Sequence, residues 1–537
     1  MNNKRILYPI IIALVLCLGM IIGSYMSIST QKNDTESFDN TQSSYDKLNA
    51  ILNLLDQSYV DNIDRNKLTE DVLPEILSNL DPHSTYIPAS EVEEANEDLE
   101  SSFSGIGVQF NIQNDTVVIV DVIAGGPSEK LGVRPGDRIV EVGDSSFTGS
   151  KINNNKVVKT LRGEKGTKVR IGIKRNNVKQ LIHFNITRGD IPVNSVDIAY
   201  MLNGNTGYIK VSRFGANTYQ EFVTELMILK KQGCKNYIID LRNNSGGYLS
   251  AVIQMVNEFL DKNQLIVYTE GRSYRREDAV ADGTGKFASV NVCVLINEWS
   301  ASASEIFAGA IQDQDRGWIV GRRSFGKGLV QQQIPLTDGS EIHLTIARYY
   351  TPSGRCIQKP YKQGKIEDYE KEIEDRYNKG EFFAQDSIIA SDSLKYSTLK
   401  GRSVYGGGGV TPDFFVAQDT SIFTKFYMDL FNTGVLYDFA FKYADNHRNE
   451  LSKYKDWKNF QQYLKTSNYW TDFVIYVDSK KVIYTKDDLS KSKESIENML
   501  QAYICRNILG DKGFYPIINQ KDKTLEKAIQ VVETEIE

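Results

Sequence analysis

Apolar and polar positions along this chain change period several times, and each change predicts a different kind of element. Residues Ile6 to Gln31 carry no charge, and the run IIIALVLCLGMII lies within them. Its apolar part is near the length that crosses a bilayer, and Lys4 and Arg5 supply the positive flank expected on the cytoplasmic side. A polar linker occupies 32–42. From Ser43 to Glu100 the period is helical, and YDKLNAILNLLDQSYV puts Leu48, Ile51, Leu52 and Leu55 on one stripe. LDPHSTYIP, with its two prolines, interrupts the helices. Over 101–190 the period shortens: GIGVQFNI, TVVIVDVI, DRIVEVGD, KVRIGIKR and LIHFNITRG are strand-like runs separated by turn residues.

After Asp190 strands and helices alternate. NTGYIKVSRF reads as a strand and TYQEFVTELMILKKQG as an amphipathic helix ending at Gly233. KNYIIDLRNNSGGYLSAVIQMVNEFL is then a buried strand, a glycine loop and a helix, and VNVCVLINEWSASASEIFAGAIQDQ repeats that plan. GWIVGRRSFGKG adds a further strand. This order predicts an α/β core over 191–417 with a mostly parallel sheet and functional loops at the C-terminal ends of its strands. Residues 359–400, with KIEDYEKEIEDRYNKG, are charged and weakly apolar, and predict an exposed insertion, either a lid or a surface loop. From 418 to 537 aromatic-rich helical segments predominate without a chemical motif.

Composition narrows the reading. A chain of 537 residues is longer than one ordinary domain, and 41% hydrophobic with 25% charged residues is a globular balance. The net charge of −6 gives no electrostatic reason to expect nucleic acid, and the short basic run Arg272 to Arg276 reads as solvated surface. For residues 1–31 a cleaved signal is the rival of an anchor. The apolar run is not succeeded by an A-x-A-like site, however, and Leu16 is bulky where lipoprotein processing at Cys17 would want a small residue. An uncleaved anchor with the rest exported is the favoured reading. Cys17, Cys234, Cys293, Cys356 and Cys505 form no C-x-x-C pair, and Cys293 sits in a core-like strand. A disulfide among the last four is left open. With only His83, His183, His343 and His447 as histidines, no metal site is predicted, and no cofactor either.

GRRSFGKG imitates a phosphate-binding loop, G-x-x-x-x-G-K, but Gly328 stands where Ser or Thr would hold magnesium. The next segment, GLVQQQIPLTDGSEIHLTIARYYT, is a β-hairpin and not the helix that such a loop requires. Lys327 is therefore free for other chemistry. In NEWSASASEIFAGA a strand ends near Ile296 and a helix begins near Ser302 to Glu305, with the spacing of a capping box. A serine there is also placed as a nucleophile, because the unpaired N–H groups of the first turn can hold an oxyanion. Gly246 or Gly247 of RNNSGGYL could give a second N–H. No histidine lies near these loops in sequence, His343 in the outgoing hairpin being the nearest. A lysine can serve as base when burial lowers its pKa. Lys327 is on a strand-end loop, and Gln331, four residues on, faces the same side of an extended segment.

Two resemblances join these readings. SGIGVQF (Ser104 to Phe110) and the G-V-x-P-G-D-x-I turn from Gly132 to Ile139 resemble a PDZ domain over 101–190. Gly105, Ile106, Gly107 and Val108 would then receive a peptide C-terminus, backbone N–H groups holding the carboxylate and a strand edge pairing with the peptide. SASASEIFAGAIQDQDRGWIVGRRSFGKGLVQ resembles the signature of the carboxyl-terminal processing peptidases, or tail-specific proteases, over roughly 43–415. The resemblance implies an α/β core of the Clp-protease/crotonase type with an inserted β-rich PDZ domain and helical N- and C-terminal regions. It makes Ser302 the nucleophile, Lys327 the general base, Gln331 its partner, Ala303 and the DLRNNSGG loop (Gly246, Gly247) the oxyanion donors, and Arg162 a regulatory arginine. Trp299 departs from the Gly of many members. Among the other serines, Ser245 resembles G-D-S-G-G but reads as a turn residue; Ser300 and Ser304 compete with Ser302, and only the family spacing separates them.

The expected activity is that of an exported, membrane-anchored serine endopeptidase of the bacterial envelope, catalytic part periplasmic, that recognises protein substrates by their C-termini. A homodimer or a regulatory adaptor is a further expected partner. The alternatives are a non-catalytic PDZ scaffold on a hydrolase-like fold, which has no need of an intact Ser, Lys and Gln set, and an acyl-CoA enzyme, which an exported protein has little occasion to be.

Overall fold

Strand-forming residues buried on both faces make the central sheet. The computed structural model describes residues 40–534 apart from positions 101, 114, 124, 177, 389–391 and 422, so the apolar segment read as an anchor lies outside the described residues. Among the described residues no helix is long and apolar enough to cross a membrane. The chain divides into two units, one up to Ile76 and one from Leu77 onward. The first holds the helix Asn40–Ser58, whose Leu48 and Ile51 are exposed, and most of Arg65–Ser78.

In the second unit six strands lie in the order Val196–Met201, Thr206–Val211, Asn236–Asp240, Asn291–Ile296, Trp318–Gly321, Phe414–Phe415. The first pair is antiparallel and the others parallel, as the βα alternation predicts. One face is covered by the helices Thr218–Lys231, Leu249–Asn257 and Ala303–Asp313, with Phe222, Phe259 and Phe307 fully buried among them. The other face is covered by the last helix, Lys523–Thr534, which buries Leu525, Val531 and Val532 on Ile238, Leu295 and Val320. Each such side chain contributes about 1.5–3 kcal/mol, so the end of the C-terminal region is part of the core.

A second, antiparallel sheet is built on the long strand Glu341–Tyr350, which pairs with Leu329–Pro335, Leu265–Glu270 and the short Thr85–Ile87. The segment after LDPHS thus adds an edge strand to the core. Strands Ser102–Gly105 and Gly189–Pro192 pair as a stalk through which the β-rich domain is inserted. Within it the strands run Val108–Gln113, Thr116–Val122, Arg138–Val142, Lys168–Lys174, Ile182–Thr187. These are the five runs read from sequence.

Residues 425–518 fold as helices around their own aromatic core. This region meets the inserted domain at its Gly132–Ile139 turn. There Asp445 accepts hydrogen bonds from Arg138 (3.1 Å) and Asn176 (3.0 Å), and a Cβ on Gly136 would lie 2.7 Å from Asp445 Oδ1. The four described cysteines are free thiols.

The charged insertion is exposed over most of its length, as its charge predicts, but it is anchored inward at a few positions. Its helix Ile366–Asn378 packs Arg376, 3% exposed, behind the loop that carries Lys327, donating to the carbonyls of Ser324 (3.0 Å) and Arg323 (2.8 Å). Lys359, 1% exposed, stands between the Phe325 and Tyr369 rings. The anchoring charges are paired: Arg376 and Arg323 share Glu381, and Lys359 binds Glu372.

Candidate active site

Three loops gather at the C-terminal edge of the parallel strands: 241–248, 297–302 and 322–328. They are tied by backbone bonds from Ala301 N–H to Asn244 O (3.0 Å) and from Phe325 N–H to Ser300 O (3.0 Å). With the second sheet and the helix Val92–Glu100 they enclose a cavity of about 780 Å³. Ser302, Ala303, Gly246, Gly247, Lys327, Gln331, His343 and Tyr349 line it, as do Ala95 and Leu99 of that helix.

Ser302 is the N-cap of Ala303–Asp313 and holds φ 56°, ψ −115°, a conformation that side chains rarely adopt and that stores strain at functional turns. Its N–H donates to Glu305 Oε2 (2.9 Å), while its Oγ is hydrogen-bonded to Tyr349 Oη at 2.7 Å. The competing serines are occupied elsewhere. Ser300 Oγ donates to Leu241 O (2.8 Å) and Ser304 Oγ to Asn244 O (2.9 Å), and both side chains are fully buried. Ser245 lines the cavity from an exposed turn.

The two glycines differ. Gly246 at φ 109° must lack a side chain, since a Cβ would lie 2.6 Å from Ser302 Cβ, but its N–H already donates to Asn244 Oδ1 (2.9 Å). The expectation that Gly246 offers an N–H to the cavity is thereby corrected. Gly247 at φ 141° leaves room for Phe214 O, and its N–H, like that of Ala303, has no acceptor among the described residues.

Glu305 is the buried hub. Besides Ser302 N–H, its carboxylate accepts from Lys327 N–H (2.8 Å), Gly326 N–H (2.7 Å) and Ser324 Oγ (2.5 Å), so one side chain fixes both the serine turn and the lysine loop. Burial pushes this carboxyl up to about 7, opposed by the bonds from Ser324, Lys327, Gly326 and Ser302. The capping-box spacing showed the local half of this role; the reach across to 324–327 has no sequence signal.

Burial lowers the Lys327 ammonium from its ordinary value, with Glu305 and Asp81 opposing. Its Nζ has no hydrogen bond or ion pair among the described residues. Gln331 shares the cavity but does not hold Lys327. The strand begins only at Leu329, so its alternation does not reach back to Lys327, and the Gln331 amide donates to the backbone carbonyl of His83 (3.3 Å). His83 belongs to LDPHS, which read only as a helix breaker. Asp81 organises that turn, accepting from His83 N–H (2.9 Å), Ser84 N–H (3.0 Å), Ser84 Oγ (2.6 Å) and Thr345 Oγ1 (3.0 Å). Burial and the Lys327 charge push the His83 imidazole down to about 3, and its Nε2 is bonded to Tyr369 Oη (2.9 Å). His343 lines the cavity too, but its Nε2 is held by Glu341 at 2.6 Å.

In the inserted domain, strand Val108–Gln113 has one neighbour among the described residues and so an open edge. Before it, Gly105, Ile106 and Gly107 are buried, and the N–H groups of Ile106 and Gly107 have no acceptor among the described residues. Val108 begins the open strand. Arg162 caps the helix Asn154–Leu161, stacks on Phe103 at 4.3 Å and pairs with Glu97 at 2.6 Å. Glu97 lies on the helix whose Leu99 lines the cavity and whose Leu99 carbonyl accepts from Ala216 N–H (2.9 Å), so Arg162 connects the inserted domain to the cavity wall.

Comparison with known proteins agrees with this architecture. Residues 205–370 match Peptidase family S41, residues 104–186 match the PDZ domain, and residues 426–510 match a family of unknown function (DUF8443). These matches define a serine-type peptidase of the Clp-protease/crotonase-like fold that carries a PDZ domain. The chain is 35% identical over 317 residues to carboxy-terminal processing protease CtpB of Bacillus subtilis, covering 58% of this chain and 65% of that protein. It is 34% identical over 359 residues to CtpA of the same organism, covering 66% and 75%. The chain belongs to the carboxy-terminal processing proteases. Among solved structures, a photosystem II D1 C-terminal processing protease is 25% identical with a TM-score of 0.35, covering 69% of this chain and 92% of that one.

Proposed function

We propose that this chain is an endopeptidase in which Ser302 is the nucleophile and Lys327 the general base, and that its PDZ domain takes substrates by their C-termini. The observation that carries the reading is that Ser302 alone of its cluster opens on the cavity, together with Lys327 and the N–H groups of Gly247 and Ala303. Neutral Lys327 takes the Ser302 proton as Oγ bonds to the substrate carbonyl carbon, and the oxyanion is received by Gly247 and Ala303 N–H. The C–N bond then breaks as Lys327 returns the proton to the leaving amine. Water, deprotonated by Lys327, attacks the acyl ester, the C–Oγ bond breaks, and Ser302 regains its proton. Glu305 positions both loops throughout.

The buried turn at Ile106 and Gly107, whose N–H groups have no acceptor among the described residues, followed by an open strand edge, supports capture of a C-terminal carboxylate and pairing of the preceding residues. The uncharged run Ile6 to Gln31 supports an N-terminal membrane anchor with the peptidase outside the cytoplasm, in the periplasm of a bacterial envelope; carbonate extraction and protease accessibility of intact cells test it.

Detergent-solubilised full chain is incubated with an unfolded protein ending in apolar residues, and the products are read by mass spectrometry. Ser302→Ala and Lys327→Ala should each abolish cleavage and retain binding of a C-terminal peptide, whereas His343→Ala should retain cleavage. Normal turnover by Lys327→Ala, or loss with His343→Ala alone, would move the base to the histidine.

A further inference from the structure

The Ser302 hydroxyl already has a partner, and it is not Lys327. Its Oγ lies 2.7 Å from Tyr349 Oη, while Lys327 Nζ is unpaired among the described residues. The phenol is firmly placed. Tyr349 sits on the long strand Glu341–Tyr350, is 5% exposed, and donates its backbone N–H to the carbonyl of Gly328 (3.0 Å), the residue after Lys327. Ser302 is the one hydrogen-bond partner of its hydroxyl among the described residues. The same strand therefore reaches the base loop through its backbone and the nucleophile through its side chain.

We propose that Tyr349 is a latch on the nucleophile: its hydroxyl holds Ser302 Oγ in a resting arrangement that must be given up before attack. The inference rests on the assignment of Ser302 and Lys327 made above. Either direction of the hydrogen bond opposes the reaction. If Ser302 donates, its proton points at the phenol and away from Lys327, and the phenol is no base, because burial pushes it above its ordinary value. If Tyr349 donates, it occupies a lone pair of the attacking oxygen. As Oγ becomes an ester oxygen it loses its proton and much of its strength as an acceptor. The contact is thus stronger in the resting serine than in the acyl-enzyme, and the part of it given up on the way to the transition state slows the step. Deleting the hydroxyl removes one neutral hydrogen bond, which should speed attack by about two- to tenfold.

The test measures reaction of Ser302 with an ethyl fluorophosphonate. Oγ forms a bond to phosphorus, the P–F bond breaks, fluoride leaves, and the hydroxyl proton passes to Lys327. Labelling of the full chain in detergent is followed by intact mass and located by peptide mapping in wild type, Tyr349→Phe and Ser302→Ala. The latch requires Tyr349→Phe to label about two- to tenfold faster than wild type. Equal or slower labelling overturns it. A crystal structure of phosphonylated wild type is independent of how well the variant folds. There Oγ should have left hydrogen-bonding distance of Tyr349 Oη, and an Oγ still bonded to the phenol overturns the latch. Labelling of Ser302→Ala would instead overturn the assignment of the nucleophile.

Discussion

Glu305→Gln separates the stability of the core from the geometry of the site. Wild-type Glu305 is raised from an ordinary 4.5 to about 7 by burial, a difference that corresponds to about 3 kcal/mol. Because the folded value is the higher one, this group favours folding fully below about pH 4.5, and that contribution is lost as pH rises to about 7. Glutamine, neutral throughout, keeps it, so the variant should gain on wild type between those pH values and hold a constant difference above. Against this, all four groups that face the carboxylate are donors. The amide nitrogen is best tolerated toward Ser324, whose hydroxyl can turn to accept, which leaves Gly326 N–H without an acceptor at a cost of about 1–3 kcal/mol. The two terms nearly offset at pH 8, and Tm should move by only a few degrees. Activity should not be spared. Loosening Gly326 releases Lys327, and a misplacement of about an ångström can cost about 10²-fold, so kcat/KM should fall by about 10- to 100-fold. Peptide hydrolysis and calorimetry across pH 4 to 9, a range set about the two values above, check both halves. Retention of kcat/KM within about threefold, or a loss matched by a collapse of Tm, would refute the division.

Gly246→Ala puts a methyl group 2.6 Å from Ser302 Cβ at φ 109°, so peptide hydrolysis should be lost while circular dichroism remains folded. Burial holds the Lys327 ammonium below its ordinary 10.5, so kcat/KM should rise with pH and level off before pH 10.5, and Lys327→Arg, which stays charged, should show no such limb because it should not turn over. Arg162→Ala removes a partly exposed ion pair to Glu97 and should cost only about 0–1 kcal/mol. Titrating a C-terminal peptide should nonetheless change its effect on hydrolysis. Asp445→Ala frees Arg138 of the PDZ turn and Asn176 of the loop after Lys168–Lys174, and hydrogen exchange over Gly132–Ile139 should quicken while that over the Asn236–Asp240 strand does not.

Much of this was legible in the chain. The five short runs of the inserted domain, the helix Thr218–Lys231 and the hairpin at 329–350 follow from local periodicity and turn residues, which act over a few positions. Strand ends and a capping box placed the serine cluster and Lys327 on loops of one sheet edge, but only the resemblance to the family signature singled out Ser302 among its neighbours. The roles that escaped belong to residues far apart in sequence. Asp81 and His83 approach the lysine loop only because Thr85–Ile87 joins the edge of a strand some 250 residues later, Thr85 opposite His343. Gln331 faces the cavity, but the His83 carbonyl decides where its amide goes.

By itself the sequence determined the order of domains, the class of each element and the serine-bearing turn, because backbone conformation and burial pattern are set by neighbouring residues. The tertiary structure alone decided which groups remain available. It committed Gly246 N–H to Asn244 and left Gly247; it joined two loops through Glu305, anchored Arg376 of the charged insertion behind Lys327, and set Tyr349 against Ser302. A hydrogen-bonding group serves the partner that folding brings within about 3 Å, and that distance is not written in any local stretch of the chain.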